Sequence, residues 1–293
     1  MGKSHIYIWE VKKGQVHEND AANRLSWAIA GSGISFTEPK EGKVSLIADF
    51  DGMCTINEDL LVGANMVEDI VIATRNNRRP VKKGDTVAGV RVVPLVIDED
   101  KLQTVEHLNE GQATISIKPF RPLKVGVITT GSEVFYGRIE DKFGPVVKQK
   151  IESYGCKVFK QIIVPDDVEQ IKQAIYTLMA EGAELILTTG GMSVDPDDLT
   201  PRSVREAGAD IITYGAPVLP GAMLLVAYLG EVALLGLPGC VMYHKTTVFD
   251  LMIPMVLAGE PISKAMVAKL GLGGLCLNCE VCRYPMCTFG TGA

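Results

Sequence analysis

The residues best suited to chemistry cluster around Gly190 and Gly191, preceded by Thr188 and Thr189 and followed closely by Ser193, Asp195, Asp197 and Asp198. Adjacent glycines carry no Cβ, so backbone N–H groups at such a turn can crowd a ligand, and the hydroxyls of Thr188, Thr189 and Ser193 suit phosphate oxygens. Carboxylates beside that turn are hard oxygen donors of the kind that join magnesium to a bound phosphate. A simpler reading makes Asp197 and Asp198 caps of a helix opening at Thr200, because acids are favoured at a helix N-terminus. Two more loops have related character: Thr130, Gly131, Ser132 and Glu133, then Leu237, Pro238, Gly239 and Cys240. Glu133 either adds a carboxylate to the acidic set or caps a helix. Cys240 packs as a small hydrophobe, and His244 reads as a packed or surface histidine rather than a base.

Each of these loops follows an apolar run. Residues 185–187 read as a strand buried on both faces, and residues 123–129 lead in the same way into Gly131. Between them the periodicity predicts a helix over 144–154, a strand over 157–164, and a helix in which Asp166 and Glu169 form a capping box ahead of the stripe Val168, Ile171, Ile175, Leu178 and Met179. A short helix follows with Thr200 as cap and Pro201 in its first turn, then strands over 223–230 and 231–236, then a helix over 241–257 that Pro254 would kink. Strands alternating with helices predict an α/β domain, a mostly parallel open sheet with helices on both faces. Ligands of such sheets collect beyond the C-terminal ends of the strands, which puts the Gly131 and Gly190 loops on one cleft.

Upstream, residues 1–119 read as a smaller β-rich accessory domain. Runs at 44–47, 70–73, 87–93 and 113–117 are separated by polar turns, and one early helix over 21–30 ends at Gly31. Asp49, Asp51, Asn57, Glu58 and Asp59 suit turns as well as ligands. Pro119, Arg121 and Pro122 form a stiff boundary, an α/β domain spans 123–262, and a Gly/Cys-rich tail occupies 263–293.

The tail spaces Cys276, Cys279, Cys282 and Cys287 as C-x2-C-x2-C-x4-C, dense enough in thiols to close around one soft metal centre, either an iron–sulfur cluster or zinc. A tail of plain thiols is the alternative.

Composition sets limits. A net charge of -6 over 293 residues argues against a nucleic-acid partner, and the basic group Arg75, Arg78, Arg79, Lys82 and Lys83 reads as a solvated loop. The apolar stretch 218–237 is broken by Pro220, Gly221, Gly230, Glu231 and Gly236, which suits two strands rather than a membrane span. No secretory pattern opens the chain, and Ile6 stands where a myristoylation signal needs Ser or Thr, so a cytoplasmic protein is expected.

Taken in order, the loops resemble those of the molybdopterin-binding domain of molybdenum-cofactor biosynthesis, especially the molybdopterin molybdenumtransferases. ITTGSEV at 128–134 is similar to the family's Thr-Gly-Asp/Ser-Glu loop, TTGGMSVDPDD at 188–198 to its Gly-Gly-x-Ser-x-x-x-x-Asp loop, and LPG at 237–239 to the start of Leu-Pro-Gly-Asn-Pro. The resemblance covers roughly residues 123–262. It implies that Gly190, Gly191 and Ser193 hold the pterin phosphate, with Thr130, Gly131, Ser132, Thr189, Pro238 and Gly239 around the cofactor. It further implies that Asp197 and Asp198 hold magnesium, with Glu133 as a second acidic contributor. The implied activity takes adenylylated molybdopterin and molybdate, inserts molybdenum and hydrolyses the adenylate. The chain departs from the family where Asp141, Lys142 and Phe143 replace an Asn-Ser-Asn region, Leu219 replaces the Lys of a Lys-Pro-Gly segment, and Cys240 replaces the Asn after the final glycine. These losses leave a non-catalytic molybdopterin carrier, or a redox-linked chaperone for a molybdoenzyme, as the alternative, with a related nucleotide pyrophosphatase as a third. A homo-oligomer is compatible with all of them.

Overall fold

A computed structural model describes residues 10–192 and 199–292. The chain folds as two compact units, Met1–Pro119 and Phe120–Ala293.

The described part of the first unit carries an antiparallel sheet in the order Ile34–Phe36, Lys43–Ala48, Thr86–Val92, Ile70–Thr74, and a second in the order Arg79–Val81, Gly52–Ile56, Ile115–Pro119. The early helix is Glu18–Ile29, which buries Ala21, Ala22, Leu25, Ser26 and Ile29 along one stripe. Two helices were not expected from the sequence, Glu58–Asn65 and Glu99–Leu108. The polar group at Asn57, Glu58 and Asp59 is the start of the first of them: the Asn57 side chain accepts from the Leu60 N–H, and the acids occupy the first turn. The basic group is tied down by carboxylates, Arg75 on Asp85 at 2.9 Å and Lys82 on Asp51 at 2.8 Å, while Arg79 is buried.

The second unit is built on six strands: β1 (Lys124–Thr130), β2 (Lys157–Val164), β3 (Leu185–Thr189), β4 (Asp210–Tyr214), β5 (Leu225–Leu229) and β6 (Val232–Leu237), in the spatial order β2-β1-β3-β6-β5-β4. The first four in that order run parallel, and β5 pairs antiparallel with both β6 and β4. The helices are α1 (Ser132–Phe135), α2 (Phe143–Glu152), α3 (Val168–Ala180), α4 (Thr200–Glu206), α5 (Val248–Leu257) and α6 (Lys264–Lys269). On one face α3 packs Ile171, Ile175 and Leu178 over Ile128, Ile186 and Leu234. Leu178 lies so close to β1 that a Cβ at Gly126 would stand 2.7 Å from it. Val127, Leu187 and Leu235 point to the opposite face and are equally buried, so both faces are covered and β3 is apolar throughout its first three residues. The 218–237 stretch forms the β5–β6 hairpin, turned at Gly230 with φ 60°. Among the described residues no helix is long and apolar enough to cross a membrane.

Four local expectations change. Thr200 does not cap α4; Leu199 holds that position, and the Thr200 hydroxyl donates instead to the Gly190 carbonyl at 3.0 Å. Asp167 rather than Asp166 caps α3, accepting from the Gln170 N–H. The single helix over 241–257 is a 3-10 turn, Gly239–Met242, then a break, then α5 with a capping box between Thr247 and Asp250. The break falls where Thr246 and Thr247 offer the backbone a capping alternative to a continuous helix. The fourth change is an added edge strand, β4, formed by the β-branched and aromatic run Ile211, Ile212, Thr213 and Tyr214, whose first three members are only partly buried.

Candidate functional site

The parallel order places the loops after β1, β3 and β6 side by side at one sheet edge. The junction of the first two is tight. A Cβ on Gly190, at φ 86°, would lie 2.1 Å from the Thr130 carbonyl oxygen, and one on Gly191, at φ 55°, would lie 2.8 Å from the Thr200 hydroxyl. The glycine pair is therefore required by strand packing as well as by backbone conformation. Thr130 links the loops: its hydroxyl donates to the Thr189 carbonyl at 3.3 Å and lies 3.3 Å from the Thr200 hydroxyl. Thr130 and Thr189 are buried, so they support the loops from beneath.

The first loop is held from its other side by a residue that sequence periodicity assigns elsewhere. Asp166, just past the end of β2, accepts from the Ser132 N–H at 2.8 Å and from its hydroxyl at 3.1 Å. Asp141 accepts from the Phe143 and Gly144 N–H groups and from Gln161, which also donates to the Thr129 hydroxyl. Thus Asp141, where the resemblance expects a ligand-contacting segment, is engaged in holding the start of α2. Glu133 is exposed on the short α1 turn.

A cavity of about 440 Å³ lies between the second and third loops. Gly190, Gly191, Pro238 and Gly239 line it, and a Cβ on Gly239 would meet nothing within 4 Å, so this glycine faces open space. Apolar side chains complete the wall, with Phe143, Met192 and Met223 the largest, and Cys240 joins them. Burial pushes the Cys240 thiol above its ordinary range, so at neutral pH it is a neutral, weakly reactive group. Thr130, Gly131 and Ser132 do not line the cavity. Ser193, Asp197 and Asp198 lie outside the described residues. Sequence reasoning did not assign the side chains of Met192 and Met223 to a ligand wall, and it named Phe143 only as a departure from the family's Asn-Ser-Asn region.

Residues 126–258 match a family model described as "Probable molybdopterin binding domain". This segment belongs to the molybdopterin-binding domain family of molybdenum-cofactor biosynthesis. A molybdopterin molybdenumtransferase of Haemophilus influenzae is 28% identical over 214 residues, covering 69% of this chain and 50% of its own. A molybdopterin adenylyltransferase of Pyrococcus furiosus is 30% identical over 110 residues, covering 38% of this chain and 60% of its own. The chain thus spans about half the length of the first of these relatives. Among solved structures, the molybdopterin biosynthesis enzyme MoaB of Thermus thermophilus aligns with a TM-score of 0.38 at 22% identity, covering 47% of this chain and 98% of that one.

Within the molybdopterin-binding domain, Lys150 is half-buried. Its ammonium lies 2.6 Å from Asp250 and 2.7 Å from the Lys245 carbonyl, joining α2, α5 and the turn between the 3-10 segment and α5. The tail forms a separate cavity of about 280 Å³ whose lining includes Cys276, Cys279, Cys282 and Cys287. Among the described residues no three His, Cys, Asp or Glu side chains already stand as a metal-ligand set.

Proposed function

We propose that the second unit binds molybdopterin in its adenylylated form at the cavity between the Gly190 and Pro238 loops, and takes part in inserting molybdenum from molybdate. One coincidence carries this reading: the family match spans the three loops, and two of them enclose a cavity with glycine backbone on its wall. Backbone N–H groups at Gly190 and Gly191 suit the pterin phosphate, and the apolar wall of Phe143, Met192 and Met223 suits a flat heterocycle. Asp197 and Asp198 are the proposed magnesium ligands, and the metal would supply charge neutralisation as the phosphate link to adenylate is hydrolysed. Thr130, Ser132 and Asp166 position the loops from outside the cavity lining.

A non-catalytic carrier is the second reading. It is favoured by Leu219 and Cys240, which stand where the family carries a cation and an amide, and by the largely apolar cavity wall. One assay separates the two. Supplied with adenylylated molybdopterin, magnesium and molybdate, a transferase releases AMP, and Asp197→Ala or Asp198→Ala abolishes the release. Tight binding without AMP release, unchanged in both variants, would establish the carrier and remove the transferase reading.

A further inference from the structure

We propose that Cys276, Cys279, Cys282 and Cys287 bind one thiophilic divalent metal ion, with zinc as the reference case, in the cavity between the tail and the turn at residues 243–246. This inference is independent of the pterin reading.

All four cysteines carry thiols rather than disulfides and line one cavity of about 280 Å³. The frame around them is fixed on both sides. Before the cysteines, Leu219 donates its N–H to the Gly274 carbonyl and accepts from the Cys276 N–H, both at 2.8 Å. After them, Phe289 is buried, and the Gly290 N–H donates to the Gly273 carbonyl at 2.7 Å. A third anchor comes from the interior of α5. Pro254 has no N–H, so the Asp250 carbonyl one turn earlier lacks its helical donor, and the Tyr284 hydroxyl donates to it at 2.6 Å. The cysteines therefore sit on a short loop closed at both ends, and gathering their side chains around an ion costs little further backbone entropy.

Chemistry inside the cavity agrees. Four thiolates around a divalent ion leave a net negative charge, and Lys245, Arg283 and His244 line the same cavity against the single carboxylate of Glu280. The Thr246 hydroxyl lies 3.1 Å from the Cys282 sulfur, placed to donate to a thiolate and orient it. Cys279 and Cys282 are exposed while Cys276 and Cys287 are partly covered, so the ion would draw the two outer thiols inward and complete a tetrahedral sulfur set.

The test uses the full chain, purified anaerobically with reductant and stripped with a chelator. Titration with cobalt(II) should give thiolate charge-transfer absorption that zinc displaces, with a single equivalent taken up. Cys279→Ser, an exposed site whose substitution leaves packing intact, and Cys276→Ser should each weaken zinc binding by more than about 100-fold, and Thr246→Ala by roughly 10- to 100-fold. Circular dichroism checks that each variant is folded. No uptake by the stripped wild-type chain, equal uptake by folded Cys279→Ser and Cys276→Ser, or iron with acid-labile sulfide in the isolated protein in place of one ion would overturn the proposal. Pterin plays no part in these measurements, so their failure leaves the pterin reading untouched.

Discussion

Replacing Gly190 with alanine should destabilise the second unit strongly, whereas the same change at Gly239 should not. At φ 86° an alanine incurs the left-handed cost of about 1–2 kcal/mol. Its Cβ also falls 2.1 Å from the Thr130 carbonyl oxygen, a backbone atom at the end of β1 that moves only with the strand, and such overpacking costs about 1–3 kcal/mol more. The total of roughly 2–5 kcal/mol is a large part of a domain's net stability and lowers the melting temperature by about 4–20 °C for a unit of this size. Gly239→Ala places its methyl group in open space at the cavity wall, so its melting temperature should change by less than about 3 °C, while affinity for adenylylated molybdopterin falls. Thermal unfolding followed by circular dichroism, with ligand titration on the folded variants, reads both quantities. A Gly190→Ala protein that melts with the wild type would refute the idea that packing against Thr130 makes this position a glycine.

Three further outcomes are expected. The Thr188 hydroxyl is fully buried and has no hydrogen-bond partner among the described residues, so Thr188→Val should raise stability by about 1–3 kcal/mol; a loss in denaturant unfolding would mean the hydroxyl is engaged. Lys150→Met leaves Asp250 buried without its ammonium and should cost roughly 3 kcal/mol, partly recovered in the double variant with Asp250→Asn, as measured by chemical denaturation. Burial pushes the Cys54 thiol up from 9.0 to about 12. The folded state therefore keeps its proton where the unfolded state loses it, so this contribution is complete below about pH 9 and declines toward pH 12 at roughly 1.4 kcal/mol per unit. Cys54→Ala should flatten that part of the pH profile, and an unchanged slope would show that the thiol titrates normally in the fold.

The opposite outcomes at Gly190 and Gly239 mark the boundary between sequence and fold. Apolar runs ending in glycine turns made β1, β3 and β6 and their loops legible in order, because burial on both faces of a parallel sheet leaves a continuous apolar run. The helix α3 was legible through its stripe, and the β5–β6 hairpin through its breakers. Motif order was enough to point to the molybdopterin-binding family, which the comparisons with known proteins then supported. The sequence did not reveal what each polar residue does. Asp166 looked like a cap and holds Ser132, 34 residues away, while Thr200 looked like a cap and bonds Gly190 instead. The cavity wall of Phe143, Met192 and Met223 had no local signature, since apolar side chains read alike whether they fill a core or line a pocket. The spacing of the tail cysteines was legible, but their anchors were not: a carbonyl that Pro254 leaves open on α5 and the backbone of Leu219. Periodicity and turn chemistry are local and survive in one dimension. Hydrogen-bond partners and exposed backbone depend on which loops the strand order brings together, and only the tertiary structure decides that.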